Sequence, residues 1–182
     1  MEKMEYIITP EELKATGRPI GGVDNKQLLA YIVEAEQMLV KPTLGDAVFM
    51  TLKKNIYDIN NGDVSTTDDY TAYRTLLHGG QYKDANDVEH YFLGLHTAMA
   101  YYIYAQNIMV GDFQSTRFGM VVKNDDYSQH LTPKERSDAY NNALEVANRY
   151  MQECVDYCLS VGLIEAKGKK YLSGSVAIRK IG

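Results

Sequence analysis

For most of the chain, apolar positions recur with helical periods. Leu28, Leu29, Ile32, Val33, Ala35, Leu39 and Val40 repeat at spacings of three and four, laying one core-facing stripe along a helix that starts at Asp24 or Asn25. Lys41-Pro42 is expected to end that helix, because the residue before a proline is pushed out of helical geometry. A second helix resumes near Thr43, with Leu44, Val48, Phe49, Leu52 and Ile56 on one side. A shorter one covers Thr66 to Leu77, with Asp68 and Asp69 placed to favour its N-terminal dipole.

The densest apolar run is His90 to Val110, which holds no Asp, Glu, Lys or Arg. A helix that is hydrophobic all round belongs in the middle of a bundle or in a membrane. At about 20 residues it is long enough for a bilayer. However, Tyr91, Tyr101, Tyr102, Tyr104, His96, Gln106 and Asn107 would need polar partners throughout the hydrocarbon. The stretch therefore reads as a central core helix, capped by Asn86 with Glu89 three residues later and closed by Gly111-Asp112.

Both ends of the chain carry local signals. Thr9-Pro10-Glu11-Glu12 has a capping threonine, proline at the first helical position and glutamate at the third, so a short helix follows and stops at Gly17. Thr132-Pro133-Lys134-Glu135 repeats that logic ahead of a long helix to about Leu159. Its inward stripe is Tyr140, Ala143, Ala147, Tyr150, Cys154, Tyr157 and Cys158, with Leu144 and Met151 beside it. Between the central and last helices, Arg117 to Lys123 is rich in β-branched and aromatic residues and reads as an extended arm or short strand. Beyond Val161, Gly162, Gly168 and Gly174 punctuate a tail in which Val176, Ile178 and Ile181 mark a strand. The fold expected is mainly α: an antiparallel helical bundle around one central hydrophobic helix. It spans residues 1–160, with an extended arm at about 113–130 and a basic, glycine-broken tail at 161–182.

Composition narrows the functional classes. The 182 residues carry 19 Lys and Arg against 24 Asp and Glu, for a formal net charge of −5, so the chain lacks the footprint of a general nucleic-acid binder. The tail differs, with Lys167, Lys169, Lys170, Arg179 and Lys180 set against Glu165. Fifteen tyrosines and no tryptophan suit half-exposed contact surfaces as well as a core. The start of the sequence has no basic region followed by an apolar core, so synthesis in a cytoplasm is expected.

Candidate chemistry is sparse. No glutamate has a histidine three residues on, which a di-iron bundle needs. Cys154 and Cys158, four apart on a helix, read as two small core residues, although His96 could face them in a zinc site. His96 reads as a core histidine bonded to a tyrosine or a backbone carbonyl. Arg74 with His78, and Asp87 with His90, read as surface contacts on a helix. Gly21-Gly22 and Gly79-Gly80 make turns rather than phosphate loops. No catalytic, cofactor or metal residue emerges, and an enzyme is not expected.

Two stretches carry a resemblance. Ala35-Glu36-Gln37-Met38-Leu39-Val40-Lys41-Pro42-Thr43-Leu44-Gly45 joins two helices through a proline and a Leu-Gly step. After the tyrosine-rich helix come Thr116-Arg117-Phe118-Gly119-Met120-Val121-Val122-Lys123, then Tyr127-Ser128 and the final helix. This order, from Asp24 to Leu159, resembles the head–tail connector (adaptor) proteins of tailed bacteriophages, especially those of Bacteroidetes phages and prophages. The resemblance implies a virion protein without catalytic residues, located at the neck under the portal vertex. It implies a homo-oligomeric ring, typically of about twelve subunits, that docks portal and tail proteins and lets DNA pass without sequence-specific binding. An acidic body suits such a channel, since each neutralised phosphate would add salt-dependent affinity. Phe118, Met120 and Val122 of the arm, and Tyr171, Val176, Ile178, Arg179 and Ile181 of the tail, are the expected partner interface, because an extended segment can add a strand to a partner's edge. Two other readings remain open: a non-viral helical interaction or scaffold module, and a small-molecule binder or enzyme with a tyrosine-lined pocket.

Overall fold

The computed structural model describes residues 5–18, 20, 22–62, 68–110, 113–116, 119–122 and 132–165, with 68–69, 113–116 and 119–122 described as backbone. The fold is mainly α. Helix α1 (Pro10–Ala15) leads to α2 (Asn25–Ala35), a π-helical turn (Glu36–Val40), α3 (Lys41–Leu44), α4 (Asp46–Asn60) and α5 (Asp68–His78). The hairpin of β1 (Gly80–Lys83) and β2 (Glu89–Phe92) precedes the central helix α6 (Gly94–Val110). The hairpin of β3 (Phe113–Thr116) and β4 (Gly119–Val122) separates α6 from the long α7 (Pro133–Ser160).

Both proline-led helix starts form as their sequences predict. The Thr9 hydroxyl accepts from the Glu12 amide while the Glu12 carboxylate accepts from the Thr9 amide at 2.8 Å. Thr132 and Glu135 repeat this reciprocal cap at the head of α7.

Two boundaries differ from the sequence reading. The helix does not end at Lys41-Pro42. It widens by one residue into the π turn, in which the Lys41 amide donates to the Glu36 carbonyl, and continues through Pro42 to Leu44. The wider turn is the adjustment that lets a helix take a proline, which has no N–H to give and crowds the preceding turn. Nor does Asn86 cap the central helix. Residues 80–92 form an antiparallel hairpin with Gly80 opposite Phe92 and Lys83 opposite Glu89, and α6 begins at Gly94. His90, Tyr91 and Phe92 are therefore strand residues. The central helix is 17 residues long, and among the described residues no helix is long and apolar enough to cross a membrane.

At the centre of the core, Leu95, Ala98, Met99, Ile103 and Ala105 of α6 are fully buried. Helix α7 packs along α6 in the opposite direction. Tyr101 of α6 meets Tyr150 of α7, with ring centroids 5.5 Å apart, and Phe92 just before α6 stacks on Tyr157 at 4.7 Å. Ala143, Ala147, Cys154 and Cys158 on α7 are buried, and small side chains at these positions permit close approach. Helices α2 and α5 and the π turn cover other sides of α6.

Candidate functional site

The most elaborate polar constellation surrounds the segment Glu5–Thr9, which runs across the bundle before α1. Glu36, on the π turn, is the one buried charged residue among those described, with 1% of its surface exposed. Its Oε1 accepts from the Ile7 amide at 2.6 Å and its Oε2 from Lys53 Nζ at 2.8 Å. Lys53, on α4, also donates to the Glu5 carbonyl. On the other side, the His96 ring of α6 donates from Nε2 to the Ile7 carbonyl at 2.8 Å. Three side chains from three elements thus bond the backbone of one short segment. Its Ile7 and Ile8 side chains are meanwhile buried in the core.

Around His96 the segment gathers further titratable groups. The His78 ring meets it edge-on at 4.9 Å. Burial pulls the His96 ring below the ordinary histidine value; the negative charge of Glu12 opposes this and His78 reinforces it. Burial acts to raise the Glu12 carboxyl, but the hydrogen bonds from Thr9 and the nearby histidines outweigh it and hold the group lower. The expectation of a core histidine bonded to a backbone carbonyl therefore holds for His96. His78 is the neighbour that sequence spacing did not supply, being 18 residues away across the α5–hairpin–α6 connection.

A second cluster sits on the β1–β2 hairpin. His90 stacks on Tyr82 with centroids 5.2 Å apart, and Tyr82 meets Phe92 and Tyr157 edge-on. His90 Nε2 lies 3.2 Å from Asp84 Oδ2. The pairing expected with Asp87 is not formed, because Asp87 bonds Lys83 at 2.8 Å in the turn instead. Asp84 Oδ1 accepts from the Asn86 and Val88 amides. Those two bonds to one oxygen close the turn, an Asx-type use of aspartate.

Cys154 and Cys158 are free thiols buried in the core. Burial raises both, Cys158 to about 12, so neither is a thiolate nucleophile at neutral pH. Among the described residues no group of three or more His, Cys, Asp or Glu converges as cation ligands. Met120 and Val122 of the expected interface fall on β4, which pairs with β3 from Phe113 opposite Val122 to Thr116 opposite Gly119. Phe118, Tyr171, Val176, Ile178, Arg179 and Ile181 lie outside the described residues.

Sequence reasoning did not find the Glu36–Lys53 clamp. A signal was present: Leu28, Ile32, Glu36 and Val40 follow one another at the four-residue spacing of the buried stripe, so a carboxylate stands where an apolar side chain would continue the row.

A family model described as "Family of unknown function (DUF6712)" matches residues 40–161. No curated protein matches, and no solved structure does.

Proposed function

The chain belongs to DUF6712, a family of unknown function, and on the resemblance carried by its sequence we propose that it is a structural virion protein, a head–tail connector subunit of a tailed bacteriophage. Copies assemble as a ring between portal and tail, and DNA passes through without sequence-specific binding. The observation that carries this reading is the order of elements around the two resembling stretches. Helices joined through Lys41-Pro42-Thr43-Leu44-Gly45 are followed by a central helix, an extended hairpin over Phe113–Val122 and one long closing helix.

Surface chemistry supports an assembling protein. Met38, Met50 and Tyr57 each expose more than half of their surface, as do Val88 and Tyr91 on the first hairpin. Large exposed apolar side chains of this kind suit a contact surface. The β3–β4 hairpin carries Met120 and Val122 on a two-stranded unit, and such a unit can extend a partner's sheet.

The test is the mass of the purified chain in solution, alone and mixed with the portal protein of the same genome. A closed ring, or one that appears only with the portal, is the expected result. A stable monomer that ignores the portal would overturn the connector assignment and leave a helical scaffold module.

A further inference from the structure

We propose that the seat of the Glu5–Thr9 segment is an exchange site, and that in the assembled protein it is filled by the same segment of a neighbouring copy. The proposal rests on the ring reading only in requiring a neighbour; it names the joint between subunits. The argument begins with what the seat recognises. Glu36, Lys53 and His96 bond backbone groups: the Ile7 amide, the Glu5 carbonyl and the Ile7 carbonyl. The core then takes the two aliphatic side chains of Ile7 and Ile8. Main-chain hydrogen bonds for affinity and pockets for side chains are what a peptide-binding seat supplies.

None of the contacts is local. The bonded residues are separated by 29, 48 and 89 positions, so an identical segment from a second copy can make every one of them. Swapping an identical element between protomers conserves all its interactions and is a low-cost route to assembly. The connection to α2 contains Gly22, whose missing Cβ leaves the backbone free to change direction there. Within the exchanged unit, residues 5–20, α1 travels with its leading segment. Its ties to Asn25, from Lys14 Nζ at 2.6 Å and to Glu11 Oε1 at 3.0 Å, are remade on the neighbour.

Effective concentration sets when exchange occurs. A short linker holds the segment at a local concentration on the order of millimolar, so a dilute free chain keeps it in place. A neighbour fixed alongside competes on equal terms.

The experiment uses the full chain with Tyr6, whose ring lies 5.9 Å from Lys53 Nζ, replaced by the photo-crosslinking residue p-benzoylphenylalanine. Nitrogen-15-labelled and unlabelled copies are mixed and irradiated. The mixture is run dilute, at millimolar concentration, and in the presence of portal. Exchange predicts crosslinked peptide pairs of mixed isotopic composition that join position 6 to the α4 region in the concentrated or assembled samples, and pure pairs in the dilute one. Pure pairs throughout would overturn the proposal, even where the mass shows a ring. Mixed pairs without portal binding would keep the exchange and sink the connector reading. Should the position 6 variant not fold, the same crosslinker at Glu5 gives the same readout.

Discussion

At the residue scale, the clamp holds a buried carboxylate whose partners the fold must keep in place. Removing one partner of a buried ion pair leaves an uncompensated charge and costs about 3–5 kcal/mol. Glu36→Ala should therefore unfold at markedly lower denaturant than the native chain, leaving the Ile7 amide without its acceptor and Lys53 without its counter-charge. A doubly substituted chain, Glu36→Gln with Lys53→Met, should recover part of the loss, since no unpaired charge then remains. Equal loss in both variants, measured by chemical denaturation, would mean that the stranded Lys53 charge adds no penalty of its own. His96 supplies a pH dependence. Its ring is held below the ordinary histidine value of 6.5 by burial, so the folded chain binds this proton less readily than the unfolded chain does. Stability should be constant above that value, decline as pH falls from 6.5 toward the lower folded-state value, and level off beneath it. Melting curves across this range should show the decline in the native chain and a flatter profile in His96→Gln. Glu12, also held low, adds a separate loss at more acid pH, below the ordinary carboxylate value of 4.5.

At the scale of elements, the start of α6 depends on two glycines that touch. Gly79 and Gly94 both have positive φ, at 83° and 79°. A Cβ on Gly94 would sit 2.3 Å from the Gly79 nitrogen, and one on Gly79 would sit 2.4 Å from the Phe92 carbonyl oxygen. The hairpin can therefore close directly onto the head of the central helix. A left-handed backbone alone costs an alanine roughly 1–2 kcal/mol, and the overlap with backbone adds to it. Gly94→Ala should lower the melting temperature more than Ala85→Gly in the exposed hairpin turn; similar effects would show that this junction tolerates a shift. The hairpin also marks where the sequence was hardest to read. The long amphipathic stripes of α2, α4 and α7 and both proline-led caps were visible in periodicity and spacing, because each is a local rule. Glu89 to Phe92 was absorbed into the apolar run that follows, and Asn86 with Glu89 imitated a helix cap. What decides otherwise is tertiary: Phe92 stacks on Tyr157 and Tyr82 packs against both rings, and the two contacts to Tyr157 bring together residues some 65–75 positions apart. Glu36 eluded the reading for a related reason, since its partners lie on other elements.

At the scale of the whole molecule, charge and assembly become one question. In the proposed ring, a chain of net charge −5 would gain little from counterion release on DNA, so any DNA binding by the chain should be weak and change little with salt. A steep fall of affinity with salt would instead mean that its basic residues hold phosphates, against the role of a passive conduit. The chain's local excess of positive charge lies at its C-terminal end, where Lys167, Lys169, Lys170, Arg179 and Lys180 stand against Glu165. Beside them stand Tyr171, Val176, Ile178 and Ile181, side chains suited to strand addition. If this segment serves docking, its work is separable from that of the bundle. Deleting residues 166–182 should leave the melting temperature of the isolated chain unchanged and abolish its association with the portal, followed by solution mass. Retained docking would move the contact to the β3–β4 hairpin, where Met120 and Val122 are the next positions to replace. A large fall in melting temperature would make the tail part of the folded core, so that its loss could no longer be read as loss of a partner contact.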